Sequence, residues 1–404
     1  MMRALLGGTA AFARPAPKQP TDRQKGEWDV SVPNRIAMAS AALASTAAAA
    51  VFAVAPMAQA STPGSFIGGF HTRSTIGSTV PANGDVNPYG VAVVSQSTGS
   101  LVKGNILISN FNNSKNLQGT GTTIVQISPT GKLSVFATIR QSSLPNSCPG
   151  GVGLTTALSI LQDGWVVVGS LPTRNGMSPT AKAGCLIVLN DRGQVKETFS
   201  GRGINGPWDM TSVTSGPMAE LFVTNVLNGT VAAKGKVVNK GTVLRLVLIV
   251  GGPKPPRLIN ITKIGSGFSQ RTDPAALVIG PTGVGLASNG TLYVASALNS
   301  SITAIPGATW RSSSAGKGMV LTSGGKLNFP LGLTMAPNGD ILTVNGGNGL
   351  IVETTPGGKQ IASKLLDSSG SPKGAGALFG LAVTPNQNGV YYVDDAVNTF
   401  RLLH

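Results

Sequence analysis

Six positions place an oxygen-bearing side chain just where a short apolar run ends: Asn110, Ser170, Asn225, Ser296, Asn345 and Asp394. Gathered around one axis, such groups suit a hard cation such as Ca2+, which takes six to eight oxygen ligands. Asp209, Asn225, Asn345 and Asp394 form the expected ligand set for Ca2+ or another divalent cation. Tyr89, Asn110 and Trp208 join them as expected ligand contacts at the mouth of a channel. The plainer reading is that Asn and Asp close strands because they bond their own turns and tolerate left-handed backbone. Other chemistry is thin. The two histidines, His71 and His404, stand near the ends of the exported part of the chain. A His-dependent base, a zinc triad or a Ser-His-Asp triad therefore finds no interior histidine. No Gly-rich loop joins a strand to a helix, which removes the phosphate-cradling motifs.

A repeat is what must gather these residues. Pro330-Leu331-Gly332-Leu333-Thr334 recurs, loosened, as Pro88-Tyr89-Gly90-Val91-Ala92, Pro149-Gly150-Gly151-Val152 and Pro207-Trp208-Asp209-Met210-Thr211. It returns as Pro281-Thr282-Gly283-Val284-Gly285 and Leu378-Phe379-Gly380-Leu381-Ala382. After each copy come a turn and a second run: Ile106–Ser109, Trp165–Val168, Leu221–Thr224, Leu292–Ala295, Ile341–Val344 and Val390–Val393. Third and outer runs follow, cut by Gly, Asn and Pro turns that supply positive φ. Sheet units repeated around a channel predict an all-β fold, a six-bladed β-propeller of four-stranded antiparallel blades. A β-sandwich or β-helix is the alternative, and six copies of one pattern favour the propeller. The sixth copy stops at His404 before a fourth strand, so an N-terminal strand, Phe66–Phe70 or Thr72–Ile76, is expected to close the last blade.

Composition agrees: charged residues are 11% and glycines 54 of 404, which suits short strands and turns. The first sixty residues differ in kind. Ile36–Ala55 is an Ala-rich apolar run after Arg35, leading to Ala58-Gln59-Ala60, a small-x-small cleavage site. Residues 34–60 thus read as a secretory signal, with a retained anchor as the alternative, and residues 1–33 as a polar extension or misassigned start. The propeller then occupies 61–404, periplasmic or extracellular, with no membrane span in the mature chain and a monomeric state expected. In an oxidising compartment Cys148 and Cys185, both in the second repeat, are expected to pair as a disulfide, two buried thiols being the alternative.

Removing residues 1–60 leaves 25 Lys and Arg against 12 Asp and Glu, a net charge of +13. In an antiparallel meander the second-to-third-strand loops share one rim with the blade-to-blade connections. Fourteen of the 25 cations are assigned to that rim: Lys115, Arg140, Arg174, Lys182, Arg202, Lys234, Lys236, Lys240, Arg271, Arg311, Lys317, Lys326, Lys364 and Lys373. Only Asp273, Asp367 and Asp395 oppose them. One reading is that exposed loops simply carry solvated charge. The other is an anion-attracting funnel, with Lys234, Lys236 and Lys240 on its rim and an anionic envelope glycan or a protein as partner. Nucleic acid is not expected, because the loops lack the interleaved aromatics that stack bases.

Pro-x-Gly-[Val/Leu]-[Ala/Thr], then Asn-Gly-x-[Ile/Leu]-[Tyr/Leu]-x-Val, then a strand ending in a turn like Pro356-Gly357-Gly358-Lys359, resembles NHL-type repeats. Pro330–Lys359 and Leu378–Leu402 are the best copies, and the likeness spans about residues 64–404. The resemblance implies a six-bladed, TolB-like propeller of the gluconolactonase-like superfamily, a fold that hosts binders, lactonases and lyases. Gluconolactonase-like members carry Glu-x-Pro-x-Trp, whereas Gly206-Pro207-Trp208-Asp209 lacks the Glu. Streptogramin-lyase-like members use a channel histidine, and none falls on an equivalent position. The leading expectation is an exported binding module with a basic loop face. The alternative is a divalent-metal-dependent lactonase or hydrolase built on Asp209, Asn225, Asn345 and Asp394.

Overall fold

Runs of four to six apolar residues between turns satisfy their backbone groups as short strands, and such strands bury both faces only when sheets stack. The structure, a computed structural model, describes residues 64–404. The expected extension, secretory signal and first mature residue Ser61 lie outside the described residues. Strand β1 (Arg73–Ser78) precedes the first blade, which holds β2 (Val86–Val93), β3 (Ile106–Asn112), β4 (Thr123–Ile127) and β5 (Leu133–Thr138). The second holds β6 (Leu154–Ile160), β7 (Val166–Ser170), β8 (Cys185–Leu189) and β9 (Val195–Phe199). The third is longest: β10 (Gly206–Ser215), β11 (Met218–Val226), β12 (Val238–Ile249), β13 (Arg257–Asp273) and β14 (Leu277–Ile279). The fourth holds β15 (Pro281–Leu286), β16 (Leu292–Ser296), β17 (Ser301–Ile305) and β18 (Met319–Ser323). The fifth holds β19 (Pro330–Met335), β20 (Ile341–Asn345), β21 (Leu350–Thr354) and β22 (Gln360–Leu365). In the sixth, β23 (Leu378–Val383), β24 (Val390–Asp394) and β25 (Thr399–Leu403) are joined by β1.

The protein is a six-bladed β-propeller with antiparallel blades, closed through an N-terminal strand. The closing ladder runs from Arg73 opposite Leu403 to Ser78 opposite Thr399, and it covers an edge that would otherwise be open to pairing. Thr72–Ile76 therefore overlaps the closing strand and Phe66–Phe70 does not belong to it. That earlier segment is a turn instead. Ile67 is fully buried in a cluster with Leu342, Val344, Ile351 and Leu366 of the fifth blade and Leu378 and Tyr392 of the sixth. Glu353 anchors the turn, accepting hydrogen bonds from the Ser65 hydroxyl at 2.5 Å and from the Phe66 and Ile67 amides at 2.7 and 2.9 Å.

The second repeat departs from its expected alignment. Pro149–Val152 is connection, not strand; β6 begins at Leu154 and bulges between the pairs Leu154–Ser170 and Leu158–Val168. The third blade has five strands rather than four. The Cys148–Cys185 disulfide is formed, with both residues buried, and ties the loop before β6 to the start of β8.

Since Ile67 locks the amino-terminal turn across two blades, truncating it to Ala should cost about 2–5 kcal/mol, the range for buried Ile to Ala. Urea unfolding followed by intrinsic fluorescence measures this. A loss below about 0.5 kcal/mol would show that the turn does not secure the closure.

Candidate functional site

The polar residues at or near the end of each second strand stand one strand outward from the axis. Asn110, Ser170, Asn225 and Asn345 turn their side chains into the blade-to-blade connections, whereas Ser296 bonds Asn299 in its own turn and Asp394 pairs with Arg401. Asn225 Oδ1 accepts from the Asn205 and Gly206 amides at 2.8 and 3.0 Å. Its Nδ2 donates to the Gly203 carbonyl at 2.9 Å and to Thr242 Oγ1 at 3.0 Å. That fills the two donors and two lone pairs of an amide side chain. Asn110 Nδ2 donates to the Thr79 carbonyl at 3.1 Å, and Asn345 Nδ2 to the Lys326 carbonyl at 2.7 Å. Ser170 does the same job with Gly151 and Gly153 at 2.8 and 3.0 Å. These are staples between one blade and the next.

The expected cation site is not assembled. Asp209, Asn225, Asn345 and Asp394 each bond within their own surroundings, on the third, third, fifth and sixth blades. Asn225 has no lone pair to give, and Asp394 Oδ2 pairs with the Arg401 guanidinium at 2.7 Å, a charge that repels a metal. Among the described residues no three His, Cys, Asp or Glu side chains gather in metal-holding geometry. The residues present do not fit a resident Ca2+. Among the strand-end residues, Oδ1 of Asn110, Asn345 and Asp394 is nonetheless buried without a hydrogen-bond partner, as are several other side-chain oxygens of the described residues.

The channel mouth expected to admit a ligand is filled. The Tyr89 ring stacks on Phe111 at 4.6 Å and on Phe379 at 3.9 Å, and Phe379 lies 6.5 Å from Trp208. Leu171, Val226, Leu277, Val278 and Leu331 belong to the same buried cluster. Leu277 and Val278 come from the β13–β14 hairpin, whose tip is held where Gln118 Nε2 donates to the Pro274 carbonyl at 2.8 Å. Tyr89 and Trp208 are each only 5% exposed, so neither is free to contact a ligand. The channel opens at its other end, as a cavity of about 320 Å³ lined by Val93, Ile160, Thr211, Leu286 and Met335. Sequence reasoning missed this, because nothing in the repeat marks which end of an inner strand is crowded.

Asp209 lies between these ends, buried, with Oδ1 accepting from the Met210 amide at 2.8 Å and Oδ2 from the Val284 amide at 3.2 Å. Burial raises its pKa to about 8, against the opposing pull of those amides. Asp395 is raised to about 8 as well, by burial first and then by the neighbouring Asp394 carboxylate.

The loop rim keeps most of its expected charge. Arg311 and Lys317 are the correction: both lie in the β17–β18 connection, on the opposite rim. Arg271 pairs with Asp273 at 2.9 Å, and Lys364 Nζ donates to the Gly68 carbonyl at 2.8 Å. Setting those four aside leaves ten exposed cations, none in an ion pair among the described residues. Six of the ten, Arg174, Lys182, Arg202, Lys234, Lys236 and Lys240, sit on the second and third blades and their connection. Across the ring Asp367 follows the fifth blade, while on the sixth Asp394 is buried against Arg401 and Asp395 keeps its proton to about pH 8. The rim is therefore polarised, a feature that loop-by-loop counting along the chain conceals.

No protein-family model matches the chain, and no curated protein matches it. Solved structures do. A gluconolactonase from Xanthomonas campestris superposes with a TM-score of 0.52 at 12% identity, covering 82% of this chain and 88% of that one. A calcium-binding protein, regucalcin, from Agrobacterium tumefaciens gives 0.52 at 13% identity, covering 83% and 93%. A streptogramin B lyase gives 0.46 at 13%, covering 82% and 97%. At these identities the likeness is one of fold.

Both raised acids set a pH dependence. Unfolded, each carboxyl releases its proton near pH 4; folded, each holds it to about pH 8. The unfolded chain binds fewer protons in that window, so stability falls as pH rises from 4 through 8. Urea midpoints measured across this range should decline, and Asp209→Ala should remove roughly half of the decline contributed by the two acids. An unchanged slope in the variant would place the proton uptake elsewhere.

Proposed function

We propose that the protein is an exported β-propeller that binds an anionic partner, an envelope glycan or the acidic surface of a protein, through the loop rim of its second and third blades. The observation that carries this reading is the set of ten exposed cations, unpaired among the described residues, around a mouth that the chain's own side chains fill. A filled mouth leaves the rim as the available face, and loops on a rigid scaffold are where binding residues concentrate. Cations that no carboxylate neutralises draw anions over about a Debye length, some 8 Å at physiological salt. Export is supported by the Cys148–Cys185 disulfide, which persists in oxidising compartments, and by the signal-like segment read from the sequence. Among the described residues no helix is long and apolar enough to cross a membrane.

A second reading, a divalent-metal-dependent lactonase or hydrolase, is supported by the fold the chain shares with a gluconolactonase and with the calcium-binding protein regucalcin, and by the unpartnered buried oxygens of Asn110, Asn345 and Asp394. Metal analysis of the purified protein separates the two. Stoichiometric Ca2+ that is lost in Asp394→Ala favours the enzyme; no bound metal and a melting temperature indifferent to chelator favour the binder.

The rim itself is tested by reversing Lys234, Lys236 and Lys240 to Glu together. On an immobilised anionic polysaccharide the variant should elute at distinctly lower salt than the parent, with an unchanged melting temperature. Equal retention would remove the rim from the account.

A further inference from the structure

Where the connection into the third blade passes over β12 and β13, a groove of about 390 Å³ opens on the loop-rim side, and its lining is chemically one-sided. Arg202 stands on the connection leading into the third blade, Lys240 at the start of β12 and Lys263 on β13. No carboxylate lines it. Successive side chains on a strand point to opposite faces, so Lys240, Thr242 and Leu244 share one face of β12, and Ile261 and Lys263 share one face of β13. The register sets Leu244 opposite Lys263. The floor is thus half apolar, from Leu244 and Ile261, and the rim of the groove is cationic.

The walls are held in place. Asn228 Nδ2 donates to the Lys240 carbonyl at 3.0 Å, and Asn205 Nδ2 donates to Asn228 Oδ1, which ties the two sides together. Thr242 Oγ1 accepts from Asn225 at 3.0 Å, so its own proton is free to donate into the groove. Arg202 holds a φ of +49°, between Gly201 at +67° and Gly203 at +94°. A side chain other than glycine is rarely kept in that region, and here it delivers a guanidinium to the cavity wall.

We propose that this groove is a binding site for a sugar unit carrying a phosphate or sulfate ester. The oxyanion would be met by Arg202, Lys240 and Lys263 and by the Thr242 hydroxyl; a guanidinium and ammonium groups are the usual partners of tetrahedral oxyanions. The carbon face of the sugar ring would lie on Leu244 and Ile261, as small-molecule sites combine apolar floor with a few fixed polar groups. The proposal rests on the anion-binding reading above and narrows it from a diffuse rim to one cavity.

Calorimetric titration of the full chain with glucose 6-phosphate, glucose 6-sulfate, inorganic phosphate and glucose tests it. The expected result is saturable one-to-one binding of a sugar ester, at least tenfold tighter than inorganic phosphate, and none of glucose. Tighter binding of either ester identifies the group and supports the site. Arg202→Gly relieves the left-handed position, so it should fold at least as well as the parent while weakening the ester at least tenfold. Lys263→Gln should weaken it similarly. Lys115→Gln with Lys326→Gln, which removes two cations elsewhere on the rim, should leave it unchanged. Equal weakening by both sets, or an ester that binds no better than phosphate, overturns the groove. If polysaccharide retention persists when no ester binds, only the groove is lost; if retention is absent from the parent as well, the anion-binding reading itself falls.

Discussion

Six inner strands meet around the axis so tightly that several have no room for a side chain at their closest point. A Cβ added at Gly332 would strike the Phe379 carbonyl, one at Gly380 the Tyr89 carbonyl, and one at Gly283 the backbone of Leu331 to Leu333. This crowding decides where bulk can go. The residue just before the crowded position is Tyr89, Trp208, Leu331 or Phe379 in four of the blades, and all four reach the same end of the channel. Tyr89, Phe379 and Trp208 stack at offset distances favourable to aromatic rings, and with Leu331 packed among them they form a seal. The β13–β14 hairpin completes it with Leu277 and Val278.

Sealing one end of the channel changes what the remaining polar groups can do. Asn110, Asn225 and Asn345 do not look into an open mouth; they fasten the first, third and fifth blades to the connections that precede them. Asp209, at a position that is glycine in four other blades, is enclosed and kept largely protonated at neutral pH. The charge that does face solvent is carried by connections and loops fixed at both ends by these staples. Rigid sheets thus present mobile lysine and arginine heads at set places, most densely over the second and third blades. That arrangement suits capture of an anion from solution and gives a physical reason for binding to sit off the axis.

Much of this was legible before any coordinates. Pro-x-Gly copies, turn glycines and short apolar runs located every second strand to within a few residues: Ile341–Val344 became β20, Ile341–Asn345, and Val390–Val393 became β24, Val390–Asp394. The polar residue after the run is the last strand residue in four blades, at Ser170, Ser296, Asn345 and Asp394, while β3 and β11 run on past Asn110 and Asn225. Each is paired across to the start of the inner strand, as Asn225 is to Pro207. The alignment failed at Pro149–Val152 because a bulge in β6 shifts the pairing, and bulges leave no fixed signature in sequence. The seal was hidden for a different reason. Leu277 and Val278 lie in an insertion outside the repeat, and side-chain direction at a strand end depends on which strand of the blade carries it. The disulfide was readable from two cysteines in one repeat. The groove beneath Arg202 was not, because it joins a blade-to-blade connection to two strands of the third blade across more than sixty positions.

The seal is tested most directly by amide hydrogen exchange of the native protein, read peptide by peptide at pH values below 7. Exchange reports local opening, with protection rising toward the global stability where structure does not open separately. The segments 86–93, 206–212, 271–280 and 378–383 should exchange as slowly as the central strands β7 and β20. Rapid exchange confined to 271–280 and the residues around Tyr89 and Trp208 would contradict the account, since the mouth would then open in solution and offer the axis to a ligand.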